Sequence, residues 1–423
     1  MSDVLVIGGG FAGVWAAAGA VRARRAAGAS PSDLRVTLVS AGDDIVIRPR
    51  MYQSDPDRMR VPLDRILGPI GVRRVAATVT GIDTGARRVH VIGRDGSTTE
   101  LTYDRLVLAA GSRLIRPDLL GTEHLFDVDT MPGAARLHSH LHRLPAEAPG
   151  AGRFTAVVVG AGFTGIEVAT ELVGRLRDVA AQVDAAEPVR VVLVERENVV
   201  GPELGEGPRP QILEALAELG VEQRLGVGAE SVGPAGVRLS DGSEIAASTV
   251  IWTAGMAASP LTADVPGERD RLGRLHVDEY LRVTGAPDVY AAGDTSAALA
   301  LDGHPVMQSC QHAMPQGKFA GHNVAADLLG LQQVPFATEP YVTCLDLGAA
   351  GAVLTSGRER TVRKTGQEAK DVKHTITAVA IYPPIDDAEA ILARADYRSS
   401  TWRGSAGSRP GETAVATAVR ASG

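Results

Sequence analysis

The chain has 423 residues, a formal net charge of −7, 44% hydrophobic residues and 22% charged ones. That length is enough for two or three domains, each with its own core. The acid excess argues against a nucleic-acid binder, whose footprint is basic. The two cysteines, Cys310 and Cys344, are too few for a disulfide framework and fit a reducing, cytoplasmic setting.

In chain order, residues 4–7 read as a short buried strand, followed by a glycine-rich turn and an alanine-rich helix over 13–27. The uncharged run from Val4 to Val21 raises the question of a membrane span. Met-Ser-Asp precedes it in place of a basic segment and Gly8-Gly9-Gly10 divides it, so neither a signal peptide nor a span is expected. "GASPSD" is a loop and "LRVTLVS" a second strand, which makes a βαβ unit and favours a parallel sheet. Residues 73–111 alternate apolar and polar positions between Gly and Asp turns, and predict antiparallel strands returning to a buried one over 106–110. "MPGAARLHSHLHRL" is helical, so His138 and His142 share a solvated face, His140 points away, and no metal site is expected. "PAEAPGAG" is the best linker.

After the linker the pattern repeats: a strand, a glycine turn, a helix, and the strand "VRVVLVE" ending at Glu195. "QILEALAELGV" is an amphipathic helix with Gly220 as its stop. "STVIWTAG" and "DVYAAGDTSA" are buried strands, and "PQGKFAGHNVAADLLG" is a helix. A third region begins near Val334. Residues 399–423 are rich in Gly, Ser, Ala and Arg, with little to bury, and read as a loosely ordered tail.

Two G-x-G-x-x-G turns carry the chemistry: Gly8, Gly10, Gly13 and Gly160, Gly162, Gly165. In such a turn the first glycine makes the bend, the second lets backbone approach a pyrophosphate, and the third lets helix and strand pack. The helix start supplies unpaired N–H groups and a partial positive charge. Two dinucleotides are therefore expected. In the second unit, Glu195 can accept hydrogen bonds from both ribose hydroxyls and repels a 2′-phosphate, which puts NADH ahead of NADPH, although Arg196 beside it suits the phosphate. The first unit ends its strand in Ser40, a weaker acceptor, with Asp43 and Asp44 nearby to compensate. "YAAGDTS" ends a buried strand on Gly293-Asp294 and offers a carboxylate to a ribityl hydroxyl. It points to FAD at the first turn and NAD(P)H at the second.

With these pieces the chain resembles the pyridine-nucleotide–disulfide oxidoreductase superfamily of flavoproteins, and within it the type II NADH dehydrogenases. "IRPRMYQ", "YDRLVLAAGS", "GAGFTGIEVA", "TVIWTAGMAASPL" and "GRLHVDEYLRVTGAPDVYAAGD" are similar to blocks of that family in the same order. The resemblance implies an α/β fold of two Rossmann-like, glutathione-reductase-like dinucleotide-binding domains plus a small C-terminal α+β region. The FAD domain is expected over 1–120 and 280–333, the NAD(P)H domain over 121–279, and the C-terminal region over 334–398. A flavin site is implied from Gly8, Gly10, Phe11, Ala12, Gly13, Ser40, Arg48, Val79, Ala110, Gly111, Gly293, Asp294, His312 and Ala313. An NAD(P)H site is implied from Gly160, Gly162, Phe163, Thr164, Gly165, Glu195, Arg196, Ala254 and Gly255.

Glu167 resembles a family glutamate near the flavin, as a nicotinamide contact or proton relay; the plain alternative is a helix-start carboxylate favoured by the dipole. "CQHAMPQGK" resembles the family pattern A-Q-x-A-x-Q-Q-G. Gln311, Ala313 and Gln316 match, with Gln311 and Gln316 as candidate catalytic contacts, while Cys310 and Pro315 depart. Nothing after Tyr382 shows the aromatic and Lys-rich helices of membrane-bound members, so no stable membrane anchor is expected. The resemblance implies an FAD-dependent NAD(P)H oxidoreductase with a small quinone-like acceptor, and is compatible with a homodimer. Disulfide reduction is disfavoured, since no C-x-x-C occurs. Two other readings stay open: a tailoring flavoenzyme or reductase of a partner redox protein, and a non-catalytic FAD/NADH sensor.

Overall fold

The computed structural model describes residues 1–183, 187–338 and 341–399. The expected tail, apart from Ser399, lies outside the described residues. The strand Ser2–Ile7 sits inside an eight-stranded sheet, parallel to Leu34–Ser40 on one side and Arg105–Leu108 on the other. Ala286–Ala291, from far down the chain, joins this sheet in parallel beside Arg105–Leu108. Strands covered on both faces read as unbroken apolar runs, which is why "VLVI" and "LVL" show no alternation.

Arg73–Asp83 differs from the purely antiparallel expectation. Its first residues run parallel to Leu34–Ser40, and its second half pairs antiparallel with Arg88–Gly93. The register shifts between Val79 and Gly81, inside the antiparallel half, and such a bulge bends the strand and increases its twist. A second sheet centres on Thr155–Val159, whose five residues are all buried, between the parallel strands Arg190–Glu195 and Thr249–Trp252. A third, antiparallel sheet comprises Val342–Asp346, Ala352–Ser356 and Thr361–Thr365, followed by the helix Gly366–Thr375.

The helices Phe11–Ala26 and Cys310–Leu329 lie unusually close, and glycine is the reason. A Cβ on Gly317 would stand 2.3 Å from the Ala12 carbonyl oxygen, and one on Gly321 2.1 Å from that of Ala16. This packing carries the start of Cys310–Leu329 to the first glycine turn. The helix begins five residues earlier than expected, with Pro315 inside it. Ser309 caps it by accepting the His312 N–H at 3.3 Å, so the cap and the glycine-lined contact offset the hydrogen bond that Pro315 cannot donate.

Met131–Arg143 is a helix capped by Thr130. His138 and His142 share one face, with ring centroids 4.5 Å apart. His140 is a core residue: it stacks on Phe126 and lies 3.0 Å from Thr249 Oγ1, and burial pushes its imidazole down to about 4. Among the described residues no helix is long and apolar enough to cross a membrane. The run from Val4 to Val21 is divided at its glycines between strand and helix.

Candidate active site

Gly8 leaves the first strand at φ 114°, and a Cβ there would stand 2.3 Å from the Ala109 carbonyl oxygen. A Cβ on Gly13 would lie 1.9 Å from the Gly8 carbonyl oxygen. Both positions are closed to any side chain. Gly10, in contrast, faces open space, and the helix it begins has no side-chain cap. The first-turn N–H groups thus border a cradle where a Cβ would intrude, a fit for a dinucleotide pyrophosphate.

Gly293 packs so close to Ala12 that its Cβ would stand 2.8 Å from the Ala12 Cβ, which delivers Asp294 beside the cradle. Ser112 Oγ donates to Asp294 Oδ2 at 2.6 Å, and Arg48 Nη1 donates to Ser112 Oγ at 3.0 Å. Arg48 also pairs with Asp129. Gln316 accepts the Gly293 N–H at 3.1 Å, while its buried Nε2 has no partner among the described residues; it therefore holds the Gly-Asp turn. His312 stacks on Tyr341 with centroids 4.8 Å apart, and its Nδ1 lies 3.0 Å from the Met307 nitrogen. Burial pushes His312 down to about 4, so it is neutral.

Ser40 reaches the first turn: its Oγ would be 2.6 Å from a Cβ on Gly9. The two carboxylates expected to compensate are already engaged, Asp43 by Arg74 and Arg94, and Asp44 by Arg60. Phe11, Ala12 and Ala313 are buried around the cradle, and Ala110 and Gly111 follow the strand Arg105–Leu108. Val79 packs against a separate core cluster behind the sheet, with Leu5 and Ile7.

The second turn repeats the geometry. A Cβ on Gly165 would stand 1.7 Å from the Gly160 carbonyl oxygen, and Gly160, at φ 105°, is pressed by Ala254. Gly255, at φ 83°, lies against Ile115. Glu195 is buried and its carboxylate accepts the Ala161 N–H at 2.7 Å and the Glu197 N–H at 3.1 Å. It is thereby held at the glycine turn. The Arg196 side chain is 84% exposed, with Glu197 at 3.8 Å. Phe163 is half-buried and Thr164 exposed.

Glu167 is no solvent-facing helix-start carboxylate. It is 3% exposed, and its Oε1 accepts from Lys373 Nζ at 2.6 Å and from the Asp346 N–H at 2.9 Å. Lys373 also donates to the Cys344 carbonyl at 2.9 Å and stands 5.2 Å above the Phe163 ring. Lys370 pairs with Asp346, and Tyr52 donates to the same carboxylate at 3.0 Å. A polar track therefore runs from half-exposed Lys370 through Asp346 to Glu167. Burial pushes Glu167 up to about 7, against the pull of Lys373. Burial is the largest single influence on Lys373 and acts to lower it, but the charge and hydrogen bond of Glu167, with Cys344 and Asp346, together hold the ammonium above its ordinary value.

This has a consequence for stability. The Glu167 carboxyl is raised from 4.5 to about 7 on folding, so the folded state binds more proton between those values. The stability from that proton is fully present below about pH 4.5 and is lost as pH rises through about 7, a change on the order of 3 kcal/mol. Urea midpoints at about pH 5 and about pH 8 are expected to differ accordingly, and Glu167→Gln to remove that part of the difference.

Lys373, Asp346 and Lys370 escaped the sequence reading. One signal was available: Ala369, Val372, Lys373 and Ile376 fall at helical i, i+3, i+4, i+7 spacing, which puts a lysine on an apolar stripe. All four are buried. Gln311, also buried, lies on the first turn of the helix that Cys310 opens. Burial pushes the Cys310 thiol up to about 11 and that of Cys344 to about 12, so neither is a thiolate at neutral pH.

Residues 2–317 match the pyridine nucleotide-disulphide oxidoreductase family. An NADH dehydrogenase-like protein of Mycobacterium tuberculosis is 47% identical over 396 residues, covering 93% of this chain and 98% of that protein. A demethylphylloquinone reductase of Synechocystis is 26% identical over 361 residues, covering 83% of this chain and 86% of that one. The structure of NDH2 from Plasmodium falciparum in complex with NADH aligns with a TM-score of 0.75 at 12% identity, covering 93% of this chain and 96% of that chain, and shares its fold. With two glycine-turn units of matching geometry and this likeness along nearly its whole length, the chain belongs to the pyridine nucleotide-disulphide oxidoreductase family and is an NAD(P)H oxidoreductase.

Proposed function

We propose that the protein uses FAD at the first glycine turn to take a hydride from NADH, in preference to NADPH, at the second, and reduces a small quinone-like acceptor. The observation that carries this reading is the buried Glu167–Lys373 pair. Glu167 comes from the helix of the second turn, and Lys373 stands 5.2 Å above the ring of Phe163, which begins that helix. A bound flavin supplies the two-electron carrier between nicotinamide and acceptor. Quinone reduction consumes two electrons and two protons, and a hydride brings only one proton. A carboxyl raised to about 7 holds a transferable proton near neutral pH, and the Lys373 ammonium suits charge developing on an acceptor oxygen.

The names of the relatives support NADH and a quinone. The orientation of Glu195 toward the second turn supports NADH, and Arg196, the residue suited to a 2′-phosphate, lies exposed beside Glu197 at 3.8 Å. The two high-pKa thiols disfavour dithiol chemistry at this site.

An anaerobic titration with NADH, followed by menadione, tests the reading. Bleaching of the oxidised flavin's visible absorbance and its return with menadione are expected; no bleaching overturns it. Glu167→Gln is expected to slow the menadione step about 10–100-fold while changing bleaching by NADH less than about threefold. Equal slowing of both steps removes the relay role.

A further inference from the structure

The two glycine turns differ at one point. At the first, the middle glycine Gly10 has nothing within 4 Å of the position a Cβ would take. At the second, a Cβ on Gly162 would stand 2.6 Å from Glu203 Oε1, and that oxygen accepts the Phe163 N–H at 3.3 Å. A carboxylate of the chain itself therefore occupies the ground where the backbone is bare for an anion.

The backbone holds it there. Pro202–Leu204 is a single helical turn between Gly201 and Gly205, both in the left-handed region at φ 61° and 72°. The Gly201 N–H donates to the Ala161 carbonyl at 2.9 Å, inside the glycine turn, and Leu204 is buried. These two anchors fix the Glu203 backbone beside Gly162, while its side chain is exposed. Among the described residues Glu203 forms no ion pair, so its charge is directed at the helix start alone.

We propose that Glu203 is a built-in competitor of the dinucleotide: its carboxylate occupies the pyrophosphate position when the nucleotide site is empty and must swing out when NADH binds. This deepens the NADH reading of the second turn and rests on it. A pyrophosphate and a carboxylate cannot share the same N–H groups, and their like charges repel at close range. Glu203 thus weakens nucleotide affinity and, by returning to the helix start, favours release of the oxidised nucleotide. It is an affinity-setting residue that takes no part in the chemistry.

The test uses the flavin-loaded full chain and calorimetric titration with ADP-ribose, a non-reacting probe carrying the pyrophosphate. Glu203→Gln is expected to lower the Kd for ADP-ribose about tenfold, and Glu203→Asp, too short to reach the Phe163 N–H, to lower it several-fold. The gap from wild type is expected to shrink in high salt, which screens the repulsion. The KM for NADH should fall with the Kd, with kcat no higher than in wild type. Glu203 is exposed, so the fold survives the exchange. Equal Kd values for wild type and Glu203→Gln, both measurable, overturn the proposal and leave the NADH reading standing. Absence of binding in wild type and both variants removes the NADH reading and the proposal with it. Binding by the variants alone supports both.

Discussion

Lys373→Met is expected to destabilise the protein by about 3–5 kcal/mol and to slow quinone reduction on the order of 100-fold. The substitution keeps most of the side-chain volume but removes the only cation that touches Glu167 among the described residues, at 2.6 Å. A buried carboxylate without a partner is costly, so Glu167 responds by holding its proton, and its pKa moves further above 7. The group then no longer cycles between its two forms at neutral pH. Thermal or urea denaturation reads the first effect, and stopped-flow reoxidation of the flavin by menadione reads the second. The double variant Glu167→Gln/Lys373→Met removes both charges and is expected to recover most of the stability and none of the activity. A double variant as unstable as the single one would show that the loss comes from packing.

Gly165→Ala is expected to leave the purified protein yellow while slowing its bleaching by NADH at least about 100-fold. The new Cβ would lie 1.7 Å from the Gly160 carbonyl oxygen and 2.8 Å from Thr253 Oγ1. Helix Phe163–Ala180 must then move off its strand, which displaces the N–H groups aimed at the nucleotide; overpacking of this kind costs about 1–3 kcal/mol in addition. Gly13→Ala makes the same clash at the first turn, 1.9 Å from the Gly8 carbonyl oxygen, and is expected to give colourless protein without flavin. Gly10→Ala, whose Cβ meets nothing within 4 Å, is expected to fold normally and still lose flavin, because the methyl group intrudes on the cradle. Absorbance spectra of the three purified variants decide the matter. A colourless Gly165→Ala with a yellow Gly13→Ala would exchange the two nucleotide assignments.

Much of this architecture was legible in the chain because its causes are local. A buried parallel strand needs an unbroken apolar run, and a turn at φ 105–114° pressed against a neighbouring strand needs glycine. Both leave marks within a dozen residues, so the two strand–glycine turn–helix units, and the places of Glu195 and Asp294 at their strand ends, were legible from spacing. The departures are positions where a distant contact overrode a local preference. Pro315 marks a helix start by propensity, yet the glycines of that helix pack on Ala12 and Ala16 and a serine cap lies upstream. His140 was expected only to point away from His138 and His142, and Phe126 and Thr249 are what enclose it. Asp43 and Asp44 looked free until arginines from elsewhere in the chain claimed them.

The pair expected to matter most for the chemistry shows the limit most plainly. The sequence by itself determined that a glutamate follows the second glycine turn; the lysine on the apolar stripe of a later helix was not read from it. Only the tertiary structure decided that these two residues, 206 positions apart, meet. A carboxyl's pKa is set by how much water is excluded and which charges remain, and both depend on what the rest of the chain lays over it. Here the C-terminal sheet and helix close over Glu167, and that burial is what moves it to neutrality.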